Sequence, residues 1–160
     1  MKPVQRILFV CTGNLCRSPL AQGLMVRAVA QRGLAAAFQI ASAGTHARVG
    51  APPDPLAIAV ASDYDADIST QRARLLTAED FRDFDQIVAL DLGHLDHLRF
   101  MQPTTAPARL RLLLAGMAGA GDAEVPDPYG GDRREFEYAA RLIEVGVRHL
   151  VEELVEGAEA

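Results

Sequence analysis

The sequence predicts an α/β fold, doubly wound, in which a parallel sheet carries helices on both faces. Three observations predict it. Short apolar runs alternate with helical periodicities along the chain. The 160 residues, 49% of them hydrophobic, are enough for one core, so we expect one domain over residues 1–160. No internal repeat, linker or low-complexity tract interrupts the alternation.

Each element has its own signal. Val4–Val10 is short, apolar and partly β-branched, as expected of a buried strand. Ser18-Pro19 predicts a helix start, with serine as the cap and proline at the first helical position. Ala21, Leu24, Met25 and Ala28 follow at helical spacing, and Gly33 ends the run. Phe38–Ser42 is the second strand. Gly50-Ala-Pro-Pro-Asp-Pro55 is a turn that caps a short helix ending near Ala61, and a polar loop follows over 62–69. Asp85–Leu90 is the third strand, and Asp91 caps a helix carrying Leu95 and Leu98. Arg109–Leu114 is the fourth strand. After a glycine-rich connection, 115–131, the last helix begins near Asp132. It turns Phe136, Ala139, Ile143, Val147, Leu150 and Leu154 inward, and its tail, 156–160, is expected to fray.

Charge and composition exclude some functions. A net charge of −5 argues against a protein that coats nucleic acid. No apolar stretch approaches the roughly 20 residues that span a bilayer, and the N-terminus lacks a signal-peptide pattern. A cytoplasmic location, with no membrane partner, is the expectation. Two cysteines in a reducing compartment point to function rather than to a staple.

Both cysteines lie in Cys11-Thr-Gly-Asn-Leu-Cys-Arg-Ser-Pro19, between the first strand and the first helix. Parallel folds bind ligands at such loops. The helix start offers unpaired N–H groups and a dipole suited to an anion. Gly13 admits close backbone approach, Asn14 tolerates a left-handed turn, and Arg17 supplies a fork that matches phosphate oxygens. A helix N-terminus and a neighbouring arginine favour the thiolate form of a cysteine, which makes Cys11 a candidate nucleophile toward phosphorus, with a phosphocysteine intermediate. The lack of Gly-Lys-Ser/Thr excludes an ATP-binding P-loop. Departure of the substrate oxygen calls for an acid. Asp127 in Val125-Pro-Asp-Pro-Tyr129 is a candidate, although Asp-Pro is also an ordinary turn signal. Prolines stiffen its backbone, and flanking glycines permit a lid.

Val10–Pro19 resembles the signature of the low-molecular-weight protein tyrosine phosphatases. The resemblance extends to Ser42-Ala-Gly-Thr45, Asp54-Pro55, Ala73-Arg74, Asp91 and Asp127-Pro-Tyr-Gly130. It implies a four-stranded parallel, flavodoxin-like sheet and no cofactor or metal. It also implies that Cys11 is the nucleophile, that Arg17 and the loop Thr12, Gly13, Asn14, Leu15, Cys16 and Ser18 hold phosphate, and that Asp127 is the general acid and base. Ser18 is expected to donate to the Cys11 sulfur, or to serve only as the helix cap. The resemblance also implies that Asn14 holds the loop through Ser42 and Asp91. Where the family often has histidine, this chain has Gln71. Leu15, His46 and Tyr129 are expected to wall the pocket. Cys16 is expected either to pack under the loop or to be a redox partner that protects Cys11 by a reversible disulfide.

Three readings compete: a protein tyrosine phosphatase, an arsenate reductase and a binding module. Leu15 favours phosphotyrosine, whereas arginine phosphatases tend to carry threonine there. Arsenate reductases need two further cysteines that this chain lacks. A non-catalytic phosphoprotein-binding module is the third reading. The loop 45–50 carries no aromatic residue other than histidine, and so looks more like bacterial members, some of which act on tyrosine kinases of polysaccharide export. The expected partner is therefore a tyrosine-phosphorylated protein, with a bacterial tyrosine kinase as one case. Asp63, Asp65 and Asp67 do not complete a calcium loop, because Ile68 and Arg74 stand where glycine and glutamate belong. His94 and His97, without a third ligand, are expected on a solvated face. Gly116, Gly119 and Gly121 do not form a dinucleotide fingerprint.

Overall fold

A computed structural model describes residues 3–117 and 123–159. Gly119 and Gly121 lie outside the described residues. The strands are β1 (Gln5–Cys11), β2 (Phe38–Gly44), β3 (Gln86–Ala89) and β4 (Arg109–Leu112). All pair in parallel, in the order β2-β1-β3-β4. The chain leaves β1 for one neighbour and returns to its other side for the next. The order therefore reverses around β1, and the crevice beyond its carboxyl end is the switch point where such sheets bind ligands. Cys11 is the last residue of β1, level with Gly44 of β2.

The central strand is buried on both faces, as a parallel sheet requires. Ile7 and Phe9 face α1 (Arg17–Gln31), α2 (Pro55–Asp63) and α5 (Arg133–Glu159). Leu8 and Val10 face α3 (Asp80–Asp83) and α4 (Leu92–Met101). The inward stripe of α5 is as the spacing predicts, with Phe136, Ala139, Ile143, Val147 and Leu150 buried. Asp54 and Asp91 cap α2 and α4 through their side chains.

Three local expectations change. Ser18 is not the cap of α1. Cys16 occupies that position without a side-chain cap hydrogen bond, and Ser18 is the second helical residue. Its hydroxyl is engaged by Asn14 and Cys11 instead. The tail does not fray at 156, because α5 continues through Glu159. The polar segment 62–69 is anchored by Ile68, which is fully buried beneath Gly23. A methyl group at Gly23 would stand 2.4 Å from Ile68, which explains glycine in the middle of α1.

Candidate active site

The loop from Cys11 to α1 is held from two sides. On the β2 side, Asn14 adopts the left-handed conformation (φ 55°) that the sequence anticipates. Its carboxamide is fully used. Oδ1 accepts the Arg74 amide at 3.0 Å, and Nδ2 donates to Ser18 and Ser42, each at 2.8 Å. The Arg74 N–H needs an acceptor, which sets the orientation of the amide. Ser18 Oγ therefore accepts from Asn14, and its own hydrogen is left for Cys11 Sγ, 3.0 Å away. Gly44 backs this corner. A methyl there would lie 2.6 Å from the Thr12 carbonyl and 3.1 Å from Asn14 Cβ.

On the β3 side the supports are charged. Arg17 is 3% exposed, and its Nη1 donates to Asp91 Oδ2 at 2.8 Å and to the Val125 carbonyl at 3.0 Å. Among the described residues no hydrogen bond occupies its Nε or Nη2; Nη2 only approaches Asp127, at 3.6 Å. That edge of the fork remains for a ligand. Burial pushes the Asp91 carboxyl up, but the His94 amide and the Arg17 guanidinium outweigh it and hold Asp91 below the usual carboxylate value. The expectation that Asp91 supports Asn14 is corrected: it grips Arg17 and caps α4 instead. The sheet order explains this, because β1 separates β3 from the Asn14 corner next to β2.

The start of α1 has no side-chain cap, so no side chain competes with an anion for its first amides. Gly13 does not have a positive φ, and a methyl there would meet only Leu15, at 3.7 Å. The thiol of Cys11 closes the floor; Cys16 lies beneath the loop, and both cysteines are buried and unpaired. Burial, reinforced by Asp54, Cys11 and Asp127 and only partly opposed by Arg17, pushes the Cys16 thiol up, so it stays protonated. Beside the loop is a cleft of about 610 Å³, lined by Leu15, Arg48, Val49, Pro52, Pro53 and Tyr129 among others. Asp127 is half exposed at its side, and its carboxylate accepts the Tyr129 amide at 3.1 Å. His46 lies toward α4. Its amide donates to the Thr12 carbonyl, and its ring is 5.9 Å from that of His97.

Two residues have roles that sequence reasoning missed. His94 is not on a solvated face: it is 5% exposed, and Nε2 is 2.8 Å from Thr12 Oγ1. The cap at Asp91 turns the first residues of α4 back over the loop, a contact between residues 82 positions apart that periodicity cannot reveal. Gln71 donates from Nε2 to the Pro19 carbonyl at 3.2 Å, which ties it to α1 beside Ser18 rather than to Asn14.

The fold and site together set the buried thiol of Cys11 beside an uncapped helix start and the free edge of a buried arginine. Residues 6–159 match the family model of the low molecular weight phosphotyrosine protein phosphatases. The chain belongs to that family of hydrolases. It is 40% identical to a low molecular weight protein-tyrosine-phosphatase of Streptomyces coelicolor, over 97% of this chain and 98% of that one. The crystal structure of YfkJ from Bacillus subtilis superposes with a TM-score of 0.90 at 29% identity, covering 98% of both chains. Vibrio vulnificus Wzb in complex with benzylphosphonate superposes at 0.82, with 26% identity over 93% of this chain and 98% of that one.

Proposed function

We propose that this protein hydrolyses phosphotyrosine in proteins through a phosphocysteine intermediate. The observation that carries this reading is the Ser18 hydroxyl, oriented by Asn14 toward Cys11 Sγ at the uncapped start of α1. The Cys11 thiolate attacks phosphorus while the tyrosine oxygen leaves with the proton of Asp127. The loop amides of 12–18 and the unoccupied edge of Arg17 bind the equatorial oxygens. Asp127, now ionised, takes a proton from water. The water attacks phosphorus, phosphate departs, and Ser18 stabilises the returning thiolate. Leu15 and Tyr129 flank the cleft and suit an aromatic ring, and the Vibrio relative forms a complex with benzylphosphonate, which joins such a ring to a phosphorus acid.

The substrate is a tyrosine-phosphorylated protein, and the likeness to bacterial members offers a tyrosine kinase as one such partner. The reaction needs a reduced Cys11, which supports a cytoplasmic compartment. Cys16 lies in the same turn and is the partner for a protective disulfide; peroxide followed by mass spectrometry is expected to recover a Cys11–Cys16 link rather than sulfinic Cys11.

Phosphate release from a phosphotyrosine peptide tests the reading. Wild-type protein releases phosphate, whereas Cys11→Ser binds phosphate without turnover. Release only from a phosphoarginine peptide would redirect the assignment to arginine phosphatases. Binding without hydrolysis of either would leave a phosphoprotein-binding module. Asp127→Ala is expected to lower kcat by about 10²–10⁴ on poor leaving groups and less on good ones. Equal losses on both would remove Asp127 as the acid.

A further inference from the structure

We propose that His94 is a positioning residue for the phosphate loop, one that ties Thr12 to the Asp91–Arg17 pair and adds positive charge beside bound phosphate when it is protonated. This rests on the phosphatase reading. The ring is almost wholly enclosed, with its side chain 6% exposed. Nε2 is 2.8 Å from Thr12 Oγ1. Nδ1 is 3.1 Å from Asp91 Oδ1 but misaligned, so it has no hydrogen-bond partner among the described residues. Even off-axis at that distance, an Nδ1–H is attracted by the carboxylate and a bare lone pair is repelled, so the neutral ring carries its hydrogen on Nδ1. Nε2 then accepts, and the Thr12 hydroxyl donates to it. The chain of contacts runs from Thr12 through His94 and Asp91 to Arg17. It joins the first loop residue after the nucleophile to the arginine that completes the cradle.

Protonation changes the polarity of this chain without breaking it. Nε2 becomes a donor, so the Thr12 hydroxyl now accepts and its own hydrogen is released toward the exposed mouth of the site. The cation also strengthens the field that an anion meets. The charged groups facing the ring are Asp91 at its own cap, Arg17 from α1, and Glu124 and Asp127 from the segment before α5. Burial, aided by Arg17, outweighs the pull of Asp91, Asp127 and Glu124 and keeps His94 below its ordinary value. The change therefore falls on the acid side of about 6.5.

Inorganic phosphate, as a competitive inhibitor of phosphotyrosine-peptide hydrolysis, is the probe. Thr12→Val and His94→Ala are each expected to raise its Ki about tenfold, the scale of one hydrogen bond. The double variant should be little worse than either, because both remove the same contact. His94→Gln, which offers an uncharged acceptor, should recover most of the loss above pH 7. Below about pH 6.5, Ki for His94→Gln should exceed the wild-type value by about threefold, the scale of one partly screened charge. The ¹⁵N resonances of His94 at neutral pH should report a hydrogen on Nδ1. Additive losses, a Ki ratio that stays flat with pH, or an Nε2–H tautomer would overturn the proposal. Should His94→Ala not fold, Thr12→Val and His94→Gln still decide it. Wild-type protein that phosphate does not inhibit would overturn the phosphatase reading as well. Inhibited wild type with indifferent variants would overturn only the role of His94.

Discussion

The two sides of the phosphate loop are built from different chemistry. The β2 side uses neutral hydrogen bonds, in which Asn14 joins Ser18, Ser42 and the Arg74 amide. The β3 side uses ionisable groups, in which Asp91 holds Arg17 and the cap of α4 brings in His94. Neutral bonds of fixed polarity hold shape over a wide pH range. Ionisable groups respond to protons. Cys11 stands between the two sides, at the end of the strand that both share. Shape and charge are therefore supplied separately, and variants on each side should fail differently.

Arg17→Ala gives the largest contrast. It removes the forked cation and leaves Asp91 without its partner, so Ki for phosphate should rise at least about 100-fold. Cys11→Ser should leave phosphate affinity near wild type, and isothermal titration with phosphate separates the two. Asn14→Ala is the corresponding break on the neutral side. It leaves the Arg74 amide unpaired and places alanine at a positive φ, at a cost of about 2–4 kcal/mol in chemical denaturation. Its loss should be independent of pH, and a pH-dependent loss would contradict the separation of neutral and ionisable supports.

Gly44→Ala disturbs the β2 side at smaller cost. Its methyl would press on the Thr12 carbonyl from 2.6 Å, which backbone must relieve. About 1–3 kcal/mol of destabilisation is expected, and kcat/KM should fall further than that loss alone explains, because the displaced residue adjoins Cys11. The smallest effects are in the pH dependence of stability. Asp91 titrates lower in the folded protein, so its contribution is complete above about pH 4 and is lost as pH falls through the folded value. His94 also titrates lower when folded, so the unfolded chain takes its proton first and stability falls as pH drops below about 6.5. Thermal melts of Asp91→Asn should be flatter in the lower window, and those of His94→Gln in the upper one.

Local chemistry explains what was legible beforehand. Four strands, the caps at Asp54 and Asp91 and the stripe of α5 follow from short-range patterns, and all are present. The start of α1 was misread because serine before proline is a strong cap signal, while the hydroxyl had a better use against Cys11 and Asn14. His94 was misread because two histidines three apart suggest a polar face. The partner that buries one of them is 82 residues away in the chain. The expectation for Asp91 comes from the family resemblance, and the sheet order turns it to Arg17 and the cap of α4 instead.

By itself the sequence determined the alternation of strands and helices, the loop from Cys11 to Pro19 and the residue types able to perform thiol chemistry on phosphate. Periodicity and turn preferences act over a few residues, so a single chain displays them. Only the tertiary structure decided which groups meet. The order β2-β1-β3-β4 sets the Asn14 corner on one side of Cys11 and the Asp91–His94 pair on the other. Packing across the sheet makes those contacts, and distance along the chain does not encode them.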